Sequence, residues 1–410
     1  MTREWNEEPS LALQEKALLK IREDLRAKNL YEAEGLRPTE DLGDATDEVK
    51  RARTADGTWN DLAEPWLGAK GTGFGRNVPL SMTITDRKRL LKPDPRTISR
   101  RLMARDTFKP AGILSAISAA WIQFENHNWF FHGDGVPEKT IDIPLQPGDK
   151  FPENPMRIRE TIPLHGEIKD GCPAPVFRNS ETHWWDASQL YGSDKERQAS
   201  VRTFVDGKIK VDDNGRLPKS DIPGVDLTGM NENWWVGVGM LHTLFALEHN
   251  AVCDALKKAY PQFDDQRLFE LAVLTVSGLI AKIHGVEWTT NILRHPALVV
   301  GLNATWYGLL GEKFQSKMGR IGTSETLSGT AGSQTDHYSS PFSLTEEFVS
   351  VYRMHPLIPD DWNFFSLESG EHLINRSFTE LQGRYTRDFM DNMEVADMWY
   401  SLGLASAGAG

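Results

Sequence analysis

The run Trp121 to Gly133, WIQFENHNWFFHG, sets the hardest condition that any fold of this chain must meet. At helical spacing it presents an aromatic face that must leave water, yet Gln123 and His127 stand on that face at i, i+4. Buried polar groups need partners, because one left without costs about 1–3 kcal/mol. The apolar pattern continues upstream, and the spacing predicts one long helix from about Ala111 to Phe131. Its small residues, Ser115, Ala116, Ser118, Ala119 and Ala120, permit close approach of a neighbouring helix or a flat ring.

A second stretch, TEEFVSVYRMHPLIPD from Thr345 to Asp360, reads as another helix. Ser343, Thr345 and two glutamates open it, Phe348, Val351, Tyr352 and His355 follow at spacings of three and four, and Pro356 and Pro359 end it. Tyr352 and His355 then share one face. Alone, that pair is as well explained by a core tyrosine beside a histidine at a helix C-terminus. Together, the two stretches are suited to sandwich a flat cofactor.

Composition narrows the remaining classes. A chain of 410 residues with 39% hydrophobic content can bury a sizeable core, in one large domain or two or three small ones. A formal net charge of −12 disfavours nucleic acid and anionic membranes as partners. Cys172 and Cys253 are too few for a disulfide framework, and the N-terminus lacks the apolar core of a signal peptide, so the reading is cytoplasmic, with peripheral membrane association left open. No consecutive apolar run reaches a membrane span, the longest being broken by Lys282, His284 and Glu287.

In chain order, residues 1–60 read as a charged arm with a helical stretch near Leu11 to Lys28, and 61–410 as the main domain. Residues 133–178 read as loop with a short strand pair, and 204–228 as a polar excursion with short strands. Long helices are expected from Trp234 to Lys258 and from Asp264 to about Leu293, then a polar segment LESGEHLINRS and a last helix near Asp388 to Leu404. His242 and His249 on the first long helix read as satisfied core histidines. Thr182, Asp186 and Ser188, with the carbonyl of Trp184, offer an oxygen set of the kind calcium takes, although an Asp/Ser turn entering a helix has the same spacing. Five residues separate His284 from Thr289, which in an α-helix leaves them about 140° apart.

The blocks GFGRN, WIQFENH, THWWDASQLYG, EHNAVCDALKK, IAKIHGVEWT, WYGLLG and SLTEEFVSVYRMHPLIPD, in this order, resemble the animal-type haem peroxidase and cyclooxygenase superfamily, and within it the fatty-acid α-dioxygenases. The resemblance implies an all-α, mainly helical haem peroxidase-like fold with long irregular loops. It also implies haem b, with His355 as proximal iron ligand, His127 as distal acid/base and Gln123 near the haem edge or distal ligand. Tyr352 is then the site of a tyrosyl radical that takes hydrogen from C2 of a long-chain fatty acid, to which O2 adds after activation by a hydroperoxide. His284 and Thr289 correspond to residues that hold the carboxylate. Thr182, Trp184, Asp186 and Ser188 correspond to a calcium loop whose further ligand, an aspartate in relatives, is Asn128 here. Where peroxidases of the superfamily carry a distal arginine, this chain has Met230, Asn231, Glu232 and Asn233. Relatives also continue past the position of Gly410. The expected activity is 2-hydroperoxy acid formation; the alternatives are a peroxidase acting on small organic substrates and a non-catalytic haem-binding protein.

Overall fold

A computed structural model of the chain describes residues 10, 13, 16–21, 24, 37–38, 40–79, 82–83, 89–164, 176–333 and 343–409. Cys172 and most of the helical stretch expected near Leu11 to Lys28 lie outside these residues. The chain divides into two compact units, Glu32–Val273 with Ser343–Gly410, and Met1–Tyr31 with Leu274–Phe342.

In the first unit, the helices Ile117–Trp129 and Val236–Ala259 pack face to face. Their contact is aromatic: Phe124 stacks on Phe245 at 5.1 Å between ring centroids, and the His242 ring meets Phe124 edge-on at 4.9 Å. Gly239, on the second of these helices, makes room for Met390, whose sulfur would lie 3.1 Å from an added Cβ. The helix begins at Ile117 rather than near Ala111. Pro110–Ser115 is instead a strand, paired antiparallel with Ser406–Gly408 from the far end of the chain. Gly112 at φ +78 breaks any helical path there, and a partner almost three hundred residues away is invisible to local spacing.

Two further ribbons complete the strands. Val136–Ile143 pairs with Met156–Glu160, inside the region expected to hold a strand pair. Asp361–Phe365 pairs with His372–Ser377, so the polar LESGEHLINRS segment forms a turn and a strand. Its partner strand alternates, with Trp362 and Phe364 buried. The expected last helix is two, Thr386–Asp391 and Val395–Leu404. Residues 204–228 carry only isolated bridges, Arg202 to Ile209 and Lys219 to Asp226. The fold is mainly helical, as expected.

The second unit takes up the helix Asp265–Lys282 from Leu274 onward, then a π-helix Ile283–Trp288 and the α-helices Thr289–Ile292, Pro296–Tyr307 and Glu312–Met318. Gly308, at φ +78, ends one of these where a Cβ would lie 2.0 Å from the Leu327 carbonyl oxygen. Within the run Asp265–Ile292 an 18-residue window reaches a mean hydropathy of 1.5, so by length and composition alone this helix is apolar enough to cross a membrane, a test that the core helix of a folded domain also passes. Lys282, at the end of the α-helical part, pairs with Glu287 at 3.6 Å.

Candidate active site

The local fold around Asn233 determines what Gln123 and His127 do. Asn233 sits at φ +48, a left-handed conformation that asparagine tolerates, and turns the chain into the helix that starts at Val236. The Trp235 indole N–H can only donate, so its 2.7 Å bond to Gln123 marks Oε1 as the acceptor. Gln123 Nε2 then donates to the Asn233 carbonyl at 2.9 Å and to His127 Nε2 at 3.2 Å. His127 Nε2 is thereby the accepting nitrogen and the ring proton belongs on Nδ1, which has no partner among the described residues. Burial lowers the His127 pKa to about 4, so the ring is neutral at pH 7. Gln123 is thus the holder of His127, and the MNENWW segment, which supplies no cation, holds Gln123.

His242 stands behind this pair, its ring 6.2 Å from that of His127. Its Nδ1 meets the Thr228 hydroxyl at 2.9 Å while Nε2 finds nothing among the described residues, so it is satisfied on one side only. His249 is satisfied on both, by the Tyr191 hydroxyl and the Gly207 carbonyl, each at 2.9 Å.

On the other stretch, Thr345 caps the helix Glu346–Val351 by accepting from Phe348 N at 3.1 Å. The helix stops there. Tyr352 is its C-cap, at φ −82 and ψ 77, and His355 opens a separate 3-10 turn, His355–Leu357. The expectation that Tyr352 and His355 share one helical face is therefore corrected. Pro356 is the cause: it has no N–H to give the Tyr352 carbonyl four residues earlier. Asn126 Nδ2 donates to that carbonyl instead, at 3.1 Å, tying this segment to the His127 helix. The Tyr352 ring stacks on Phe348 at 5.0 Å and packs on Trp129 at 5.7 Å, in a cluster with Phe74, Phe130 and Val349.

A cavity of about 230 Å³ joins the two stretches. Its walls include Gln123, Asn126, His127, Phe130, His132, Glu232, Asn233, Arg353 and His355. His127 and His355, far apart in sequence, therefore face one space, with Tyr352 packed in the adjoining aromatic cluster. His355 is the more open imidazole and makes no hydrogen bond among the described residues; desolvation and then Arg353 lower its pKa. Arg353 was not singled out from the sequence, nor was the bond from Asn126 to the Tyr352 carbonyl. The only available signal was that Arg353 lies inside the YRMH motif.

In the second unit, the π-helix changes the relation between His284 and Thr289. A π-turn bonds residue i to i+5, and Thr289 N–H donates to the His284 carbonyl in this way, with its hydroxyl on the same oxygen at 2.7 Å. The five-residue spacing that separates them in an α-helix here spans one turn. Burial lowers the His284 pKa to about 4.

The oxygen-bearing loop also assembles. The Thr182 hydroxyl donates to Asp186 Oδ2 at 2.5 Å, Ser188 Oγ to Asn128 Oδ1 at 3.2 Å, and Asn128 Nδ2 to the Trp184 carbonyl at 3.2 Å. Asp186 is the sole carboxylate of the set, its pKa raised by burial and opposed by the Thr182 bond and the charge of Arg53. No group of three or more His, Cys, Asp or Glu among the described residues is placed to hold a metal ion.

The animal haem peroxidase family model matches residues 52–409. The alpha-dioxygenase PIOX of Pisum sativum is 41% identical over 313 residues, 75% of this chain and 47% of that protein, so the chain spans about half the length of this relative. The crystal structure of fatty acid alpha-dioxygenase from Arabidopsis thaliana superposes with a TM-score of 0.86 at 31% identity, covering 99% of this chain and 64% of that one. A tyrosine-to-phenylalanine variant of the Oryza sativa enzyme, crystallised with palmitic acid, gives a TM-score of 0.84 at 32% identity, covering 99% and 66%. With the match extending over nearly all of the chain and with two histidines brought to one cavity, the chain belongs to the animal haem peroxidase family.

Proposed function

We propose that this chain holds haem in the cavity bounded by His127 and His355, and that the site serves oxygen insertion at C2 of a long-chain fatty acid. The observation that carries the reading is the convergence of those two imidazoles on one cavity. The donor set fits a haem: His355 has no competing hydrogen bond among the described residues, His127 is neutral at pH 7, and Asn126 Oδ1 is buried without a partner. The substrate class rests on the relatives, which are named as fatty acid α-dioxygenases, one with palmitic acid.

Haem, when bound, supplies the oxidising power that no side chain carries. His355 is the residue to hold the iron. His127, neutral and held by Gln123, takes the proton of a hydroperoxide activator at Nε2, displacing the Gln123 amide from that nitrogen. With the hydroperoxide activator as the oxidant, Tyr352 gives up one electron and its phenolic proton. The resulting tyrosyl takes a hydrogen atom from C2 of the acid, O2 adds to the carbon radical, and the peroxyl recovers a hydrogen atom from Tyr352. The product is a 2-hydroperoxy acid, and the tyrosyl radical is regenerated for the next turnover. His284 and Thr289 are the proposed contacts of the substrate carboxylate. Because burial keeps His284 neutral, it would meet that anion as a hydrogen-bond donor. Thr182, Trp184, Asp186, Ser188 and Asn128 form the proposed calcium loop, weakened by its single carboxylate.

The test is Tyr352→Phe, which removes one oxygen and keeps the ring that packs on Phe348 and Trp129. The haem spectrum and any peroxide-dependent oxidation of small phenols should survive, while oxygen uptake with palmitic acid falls at least a hundredfold, on the order of a lost catalytic group. Unchanged uptake defeats the radical role. Phenol oxidation with no fatty-acid oxygenation in either protein selects the peroxidase alternative.

A further inference from the structure

The geometry points to Arg353 as the residue that anchors a carboxylate of the bound cofactor. This rests on the proposal that haem occupies the cavity. Arg353 is the one arginine or lysine among the described residues lining that space. Its guanidinium makes no hydrogen bond or ion pair among the described residues; it lies 5.8 Å from the centre of the Phe130 ring and feels the charge of Glu346. Glu346 uses one oxygen, Oε2, on His132 Nε2 at 2.9 Å, and its Oε1 is buried with no hydrogen bond to the guanidinium or to any other described group. An arginine is thus left with its five donors unclaimed at the wall of a cavity where Glu232, the carboxylate among the described lining residues, is destabilised by desolvation and by Asp134.

Haem b brings two propionates. A carboxylate drawn toward protein without a counter-charge is strongly disfavoured, and a planar guanidinium matches it with two parallel N–H···O bonds. Backbone geometry adds to the case. Arg353 N donates to Val351 O at 3.0 Å, and the carbonyl of the preceding residue is held by Asn126, so the arginine leaves a backbone tied on both sides. Arg353 also lies two residues before His355, which places the charge and the proposed iron ligand on one short segment.

The test titrates apoprotein with haem b and with haem b dimethyl ester, in which both carboxylates are blocked, and follows the Soret band. Wild type should bind haem about tenfold or more tightly than the diester, the ratio of a charge-assisted pair. In Arg353→Gln that preference should collapse to within about twofold, with diester affinity unchanged, which also shows that the variant folds; Arg353→Lys should keep part of it. A wild type indifferent to esterification, an Arg353→Gln variant that keeps the full preference, or one that weakens both ligands equally overturns the anchor while leaving the cavity reading intact. A Soret band unaltered by His355→Ala overturns the cavity reading, and the anchor with it.

Discussion

Glu125, two residues before His127, is completely buried, and neither carboxylate oxygen has a partner among the described residues. Burial raises its pKa well above 4.5, so the folded chain holds it as the neutral acid. Above pH 4.5 the unfolded chain loses that proton, and folding must take it back. Its contribution is therefore greatest below pH 4.5 and lost as pH rises toward the folded value. Glu125→Met should stabilise the protein, by a margin that is larger at pH 8 than at pH 5 in urea unfolding; equal margins would contradict a neutral buried acid. His127 and His183 act with the opposite sign. Burial lowers each to about 4, so as pH falls from 6.5 toward 4 the unfolded state takes up protons first and stability declines. At this scale the sequence showed Gln123 and His127, because i, i+4 spacing is a local property. It did not show that Trp235 and Asn233 orient Gln123, because those contacts cross 112 and 110 residues.

Elements decide where spacing arguments hold. The Thr345 cap and the two glutamates start a helix where the sequence places it, yet Pro356 ends it early and separates Tyr352 from His355. At His284 and Thr289 the reverse occurs, since a π-turn aligns residues that α-helical geometry splays apart. The loop from Thr182 to Ser188 offers an element-scale test. Asn128 spends its amide on the Trp184 carbonyl, a bond that a cation would have to replace. Millimolar calcium should therefore raise the unfolding temperature of wild type only slightly, and that of Asn128→Asp by several degrees more, through the second carboxylate. If Asp186→Ala responds to calcium as wild type does, no cation binds there.

For the molecule as a whole, a ligand that binds only the folded state adds stability by mass action, about 2.7 kcal/mol at a hundredfold excess over its Kd. Haem at that excess should raise the unfolding temperature by several degrees, and His355→Ala should abolish the rise; an undiminished rise would show that haem binds elsewhere. The mainly helical class, the long helix ending at Ala259 and the two histidine-bearing stretches were legible because hydrophobic period and capping residues act within a few turns. The Pro110–Ser115 strand was not, because its pairing partner lies at the other end of the chain. By itself the sequence determined which residue types are available and how they recur along each helix. Only the tertiary structure decided that His127 and His355 share a cavity, that Asn126 takes the carbonyl released by Pro356, and that Arg353 stands at the wall. The physical reason is one of range: helical spacing is local, whereas the meeting of side chains from segments more than two hundred residues apart depends on how whole elements pack.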